Sequence, residues 1–154
     1  MLAPVSGTAA ALTVVGDPVF AEPMLGWGLA VRADLAGPVL ASVDGVVAAV
    51  QPHALVLRTA GGHEVLVHLG LDARSAPRAV HPDVGASVLA GEVIGYWDPE
   101  AAEAVGGSTW CPVVVLHAAP DQVELLVAPG QAVAAGGPVL RLPRSALGVA
   151  HVRV

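Results

Sequence analysis

Two histidines fifteen residues apart, His53 and His68, are the side chains whose type and spacing can do chemistry here. Facing imidazoles can hold a phosphoryl group or a metal ion. A neutral imidazole is a competent nucleophile near pH 7, and its phosphoramidate is labile enough to hand phosphate onward. Whether two rings can cooperate depends on the elements that carry them. His53 begins one apolar-rich arm and His68 ends another, with Gly61 and Gly62 between them, which reads as a β-hairpin. A two-residue loop at Ala60 and Gly61 closes Thr59 on Gly62, so that paired residue numbers total 121. That register sets His53 directly opposite His68, with Cβ atoms about 5 Å apart. A slip of two keeps the rings on one face as a diagonal pair, and a slip of one sends them to opposite faces.

The frame around this hairpin reads as all-β: a compact antiparallel β-sandwich or barrel-like single domain with short helical turns. A chain of 154 residues is most simply one domain with a real core. With 18 glycines, 13 prolines, abundant valine and only 3% aromatics, it calls for many short strands joined by tight turns. Strands are expected at 18–21, 28–31, 37–42, 45–51, 54–59, 63–69, 87–88, 93–96, 112–116, 124–126, 133 and 138–142. Residues 99–105 form the one convincing helical turn, with Pro99 at its first position and acidic residues near its start. Two segments echo each other, Gly85-x-x-Val88-x-x-Gly91 and Gly130-x-x-Val133-x-x-Gly136, each leading into an apolar strand. This is a hairpin-corner pattern in which glycine supplies positive φ. Residues 1–16 are apolar, lack a basic start and are interrupted by Pro4 and Gly7. They read as a loosely ordered tail rather than a signal peptide, ahead of a domain spanning 17–154.

Charge narrows the function. A net charge of -6 with seven scattered arginines and no lysine argues against nucleic acid, which needs clustered cations. No apolar run reaches the roughly 18 residues of a membrane span. A single cysteine, Cys111, excludes an internal disulfide, fits a reducing compartment and reads as an apolar filler in a buried strand. Among the other histidines, His63 beside the hairpin turn reads as solvated, and His81, His117 and His151 are isolated in sequence.

Several segments in order then resemble one family. They are Asp17-Pro-Val-Phe-Ala-Glu-Pro-Met-Leu-Gly-Trp-Gly, Val-Leu-Ala-Ser-Val-Asp44-Gly-Val-Val, Pro-His53-Ala-Leu, Val-Leu-Val-His68-Leu-Gly-Leu-Asp72, Gly85-Ala-Ser-Val-Leu-Ala-Gly-Glu-Val-Ile and Ser-Thr-Trp-Cys111-Pro-Val-Val-Val. Together they resemble the glucose-type enzyme IIA domain of the bacterial phosphoenolpyruvate-dependent sugar phosphotransferase system. The resemblance implies an antiparallel β-sandwich that acts as a cytoplasmic phosphocarrier, with no cofactor required. It implies that His68 accepts phosphate from the phosphocarrier protein HPr and passes it to the IIB domain of a sugar permease. His53 would be the supporting histidine, and Asp72 and Asp17 acidic residues at the rim. Val19, Phe20, Leu25 and Leu69 are the candidates for an apolar partner-docking face, with regulatory proteins as further partners. Gly70 would let backbone approach a phosphoryl oxygen closely. Gln51 stands where the family usually has threonine, within hydrogen-bonding reach of the His53 ring, and the loop after Asp72 is shorter than usual. The start at Met1 favours a stand-alone domain.

Two rival readings have their own chemistry. A zinc hydrolase on a β-sandwich needs a third ligand, whereas His63 and His68, five apart on a strand, point to opposite faces. Adventitious zinc held by His53 and His68 with a partner's carboxylate fits better than catalytic zinc. The other rival is a regulatory binding module that has lost phosphotransfer, which retention of both histidines and Asp72 argues against.

Overall fold

The computed structural model describes residues 1–21, 25–71 and 82–142. Its strands are β1 (Gly7–Ala11), β2 (Gly26–Ala33), β3 (Gly37–Leu40), β4 (Gly45–Gln51), β5 (Ala54–Arg58), β6 (Glu64–His68), β7 (Ser87–Val88), β8 (Val93–Trp97), β9 (Trp110–Leu116), β10 (Glu124–Leu125), β11 (Ala132–Val133) and β12 (Leu140–Arg141). Eight of them form one sheet in the order β11-β1-β2-β9-β6-β5-β4-β7, while β3 pairs with β8 and β10 with β12. Every pairing is antiparallel, as the all-β reading requires.

Side-chain alternation gives the large sheet two faces. Leu29 and Val31 of β2, Leu55 and Leu57 of β5, Val65 and Val67 of β6, and Val113 and Val115 of β9 turn inward. They pack with Val39, Ile94 and Trp97 of the β3–β8 layer in the main core. Strand β4 keeps both Val47 and Val50 on that core, although they are three residues apart, because a bulge between Val47 and Ala49 resets the alternation. Cys111 is buried in the same core and, as expected, is a filler; burial pushes its thiol far above the usual range. On the opposite face Leu12, Val15 and Phe20 lie over Ala30 and Val114 in a smaller cluster.

Two sequence expectations change here. Residues 1–16 are not a loose tail: β1 pairs with both β2 and β11, Ala3 and Leu12 are fully buried, and Leu2 bridges to Pro138. The small residues of Gly7-Thr-Ala-Ala-Ala carry little hydrophobic signal, so tertiary pairing decides their conformation. Residues 18–21 form not a strand but a helical turn, α1 (Pro18–Ala21). Asp17 nucleates it, its Oδ1 accepting from Val19 N at 3.0 Å and its carbonyl from Phe20 N at 3.1 Å. The other helix, α2 (Pro99–Ala104), starts as the sequence suggests, with Asp98 accepting from Ala101 N at 3.1 Å.

The two echoing segments occupy equivalent places. Gly85, Gly91, Gly130 and Gly136 all have φ between 86° and 92°. Gly85 and Gly130 donate to Val47 and Ala9, and Gly91 and Gly136 donate to Ala41 and Ala3, each at 2.8 Å. The short strands they flank, β7 and β11, are the two outer strands of the eight-stranded sheet. Two-residue strands leave little unpaired backbone on which another chain can add.

Candidate functional site

The hairpin that carries His53 and His68 does not take the expected register. Ala54 is opposite His68 and Arg58 opposite Glu64, so paired numbers total 122 and the ladder is slipped by one. The cause is the turn. Thr59 N donates to His63 O at 2.8 Å and Gly62 N to Thr59 O at 3.0 Å, which makes a three-residue loop of Ala60, Gly61 and Gly62. Gly62 sits at φ 87°, the left-handed residue such a loop needs.

A one-residue slip should part the rings, yet their centroids are 4.8 Å apart with planes at 56°. His53 escapes strand alternation because it is not in a strand. Gln51 and Ala54 close β4 on β5, leaving Pro52 and His53 as the turn between them. The His53 carbonyl accepts from Leu69 N at 2.7 Å, which ties this turn to the end of β6. Its ring can therefore approach that of His68 without obeying the strand alternation.

His68 is half-buried and held on three sides. Its Nδ1–H donates to the Gly70 carbonyl, which fixes the neutral tautomer and leaves the Nε2 lone pair available. Gly70 adopts φ 76°, and its own N–H donates to Trp110 O at 2.8 Å. Its N–H is already committed, and its contribution is to aim a carbonyl at the histidine. Phe20 meets the His68 ring edge-on, with centroids 5.4 Å apart and planes at 72°. Desolvation in this setting pushes the His68 pKa below the usual histidine value. The proximity of His53 pushes the same way, whereas the Gly70 carbonyl and the Asp17 carboxylate oppose it. The net effect favours the uncharged ring.

The remaining candidates divide. Asp17 is half-buried, caps α1 and directs its field at His68. Gln51 is exposed and makes no side-chain hydrogen bond to His53. Val19 is 57% exposed and Leu25 half-buried, as a docking face requires. Phe20 at 5% and Leu69 at 3% exposure are not surface residues. Phe20 packs beneath His68, and Leu69 follows Val65 and Val67 into the main core. Val14, 58% exposed on the same segment as Val19, was missed because it falls within the supposed tail. Asp72 lies outside the described residues. The Gly70 and Trp110 carbonyls could not have been found from sequence, since backbone acceptors leave no residue signature. Among the described residues no third His, Cys, Asp or Glu joins the two histidines as a metal group, and no helix is long and apolar enough to cross a membrane.

Comparison with known proteins gives the family and the fold. The family model described as phosphoenolpyruvate-dependent sugar phosphotransferase system, EIIA 1, matches residues 1–121. A glucose-specific EIIA component of Halalkalibacterium halodurans is 36% identical over 120 residues, covering 75% of this chain and 69% of that protein. The glucose-specific EIICBA component of Streptococcus pneumoniae is 41% identical over 113 residues. That match takes in 70% of this chain but only 15% of the much longer pneumococcal protein. Glucose permease IIA from Mycoplasma capricolum has the same fold, with a TM-score of 0.77 at 28% identity, covering 90% of this chain and 92% of that one. This chain belongs to the EIIA type 1 family of the phosphoenolpyruvate-dependent sugar phosphotransferase system.

Proposed function

We propose that His68 is the phosphate-carrying residue of a relay from HPr to a sugar-permease IIB domain. The observation that carries this reading is the hydrogen bond from His68 Nδ1–H to the Gly70 carbonyl beside the second ring of His53. It leaves Nε2 as the nucleophile. In the forward step the Nε2 lone pair forms an N–P bond while the donor's N–P bond breaks, and the electron pair leaves on the donor imidazole. The second step is the same displacement with His68 as leaving group. His53 is placed to hydrogen-bond a phosphoryl oxygen, so charge is stabilised by a preorganised group rather than by reorganising water. A half-buried ring whose surroundings favour the neutral form suits a carrier, since protonation of Nε2 would remove the attacking pair.

Exposed Val14 and Val19, with half-buried Leu25, support transient docking, because accessible apolar side chains on one segment accept several partners. The relay operates in the cytoplasm under this reading. Zinc shared by His53, His68 and a partner's carboxylate is compatible with the open Nε2, while two protein ligands fall short of the usual tetrahedral set.

Intact mass after incubation with phosphoenolpyruvate, enzyme I and HPr tests the assignment. The expected result is one acid-labile phosphate on the wild-type chain, absent from His68→Ala and present on His53→Gln. Unmodified wild-type protein, folded and incubated with an active donor, would sink the relay.

A further inference from the structure

The carbonyl that fixes the His68 tautomer lies where a strand ladder would normally claim it. Strands β6 and β9 pair as far as Val67 and Val113, with paired numbers totalling 180. Beyond that point the register is kept, since Gly70 N donates to Trp110 O at 2.8 Å, but the ladder changes character. Backbone groups along a strand turn to alternate neighbours. Ala33 N donates to Thr109 O, so residue 109 faces β2, while 110 and 112 face β6. The N–H groups at those two positions are therefore the ones due to meet the carbonyls of Gly70 and His68. Neither does so. Position 112 is a buried proline, which has no N–H to give. Trp110 N donates instead to Ser108 Oγ at 3.1 Å.

The diversion matters because a carbonyl in a ladder and a carbonyl on a ring point in different directions. A ladder bond from Trp110 N would hold the Gly70 C=O in the sheet plane, aimed at β9. The His68 ring stands off the sheet face, where Phe20 meets it edge-on. A carbonyl drawn into the plane does not receive Nδ1–H in good geometry. Gly70 instead keeps its N–H in the ladder and turns its C=O out of it, a split that its φ of 76° allows. Ser108 removes the competing donor without leaving Trp110 N unpaired, which in a half-buried strand would itself be unfavourable. On the reading of His68 as the phosphate carrier, we propose that Ser108 is its positioning residue. By holding the Trp110 N–H, it reserves the Gly70 carbonyl for His68 Nδ1–H. Ser108 acts at a distance, through the Trp110 backbone and then Gly70.

The test compares Ser108→Ala, Ser108→Thr and Ser108→Val in the full chain. Threonine and valine share a shape and differ in the hydroxyl, which separates the hydrogen bond from packing. Nuclear magnetic resonance of the ¹⁵N-labelled imidazoles reads the His68 tautomer, and rapid-quench transfer from phospho-HPr reads the rate. Wild type and Ser108→Thr should hold His68 with its proton on Nδ1. Ser108→Ala and Ser108→Val should show a mixture of tautomers. Their maximal transfer rate should fall about tenfold at unchanged KM for phospho-HPr, the loss of one hydrogen bond. The His63 ring, whose Nε2 is buried rather than solvated as the sequence suggests, is the internal reference and should not change. A variant that is merely less stable keeps its tautomer balance. An unchanged tautomer in Ser108→Ala, equal behaviour of the threonine and valine variants, or a shifted tautomer with an unchanged rate would each overturn the proposal. Wild-type protein that takes no phosphate would remove the relay instead, and the tautomer comparison would still decide whether Ser108 reserves the carbonyl.

Discussion

The two ends of the β5–β6 hairpin both place a histidine beside a turn, and they treat it in opposite ways. At the His68 end, Nδ1–H has a fixed acceptor in the Gly70 carbonyl, Phe20 braces the ring and His53 stands alongside. At the His63 end, the backbone is satisfied but the ring nitrogen Nε2 is buried without a partner. The same side chain is thus tuned in one place and left unsatisfied in the other, within one hairpin. What makes a nucleophile is not the imidazole but the commitment of its second nitrogen, which sets tautomer and orientation together.

The largest effects should come from breaking the tuned end. His68→Ala should abolish phosphate acceptance outright, because no other group replaces the Nε2 pair; mass spectrometry reads this directly. His63→Ala should leave acceptance near wild type. Equal losses in the two variants would erase the distinction between the ends. His53→Gln should still become phosphorylated but transfer roughly 10²-fold more slowly, the usual penalty for losing one preorganised donor at a charged transition state. Rapid-quench transfer from phospho-HPr is the appropriate measurement, and an unchanged rate would reduce His53 to a spectator.

Much of this arrangement is legible in the residues, and the parts that are not have physical reasons. The hairpin follows from its apolar arms and paired glycines, and the corner glycines follow from their spacing. The register was misread because a two-residue and a three-residue loop draw on the same Ala-Gly-Gly sequence, and only φ at Gly62 separates them. The histidines nevertheless met, because a turn residue is not bound by alternation. Strand β1 was hidden because Gly and Ala pair well only when neighbouring strands already exist. Phe20 and Leu69 were placed on the docking face from their neighbourhood in sequence, which does not reveal burial. Leu69 in fact continues the inward alternation of Val65 and Val67.

Intermediate effects follow from the supports of His68. Phe20→Ala removes a buried ring from the smaller cluster and should cost about 3 kcal/mol, measurable by denaturant unfolding. Gly70→Ala places a side chain at φ 76° and should cost about 1 kcal/mol. It should also slow transfer by loosening the carbonyl that holds Nδ1–H. The pH response has a definite sign. Because the folded-state pKa of His68 lies below 6.5, the unfolded chain binds the proton more readily. The contribution of His68 to stability is full above pH 6.5 and is lost as pH falls through the folded value. Phosphate acceptance should likewise persist to lower pH than an unperturbed histidine allows, and Asp17→Asn, which removes an opposing charge, should extend it further. A shift in the opposite direction would contradict the balance of desolvation against charge.

Between the two ends lies the smallest expected effect. Arg58 and Glu64 face each other across the ladder, with an Nη2–Oε1 distance of 3.0 Å and a second contact from Nε at 3.3 Å. Geometry alone suggests a clamp that would transmit strain from the His63 turn to the His68 end. Exposure argues otherwise, since the two side chains keep 55% and 35% of their surface in water. A solvated pair of this kind contributes about 0.5 kcal/mol, and salt screens it. Arg58→Ala and Glu64→Ala should each change stability by no more than that, and the double variant should show a coupling of similar size. Neither should alter transfer at His68. A coupling several times larger, insensitive to salt, would mean that the two ends of the hairpin are mechanically linked rather than independent.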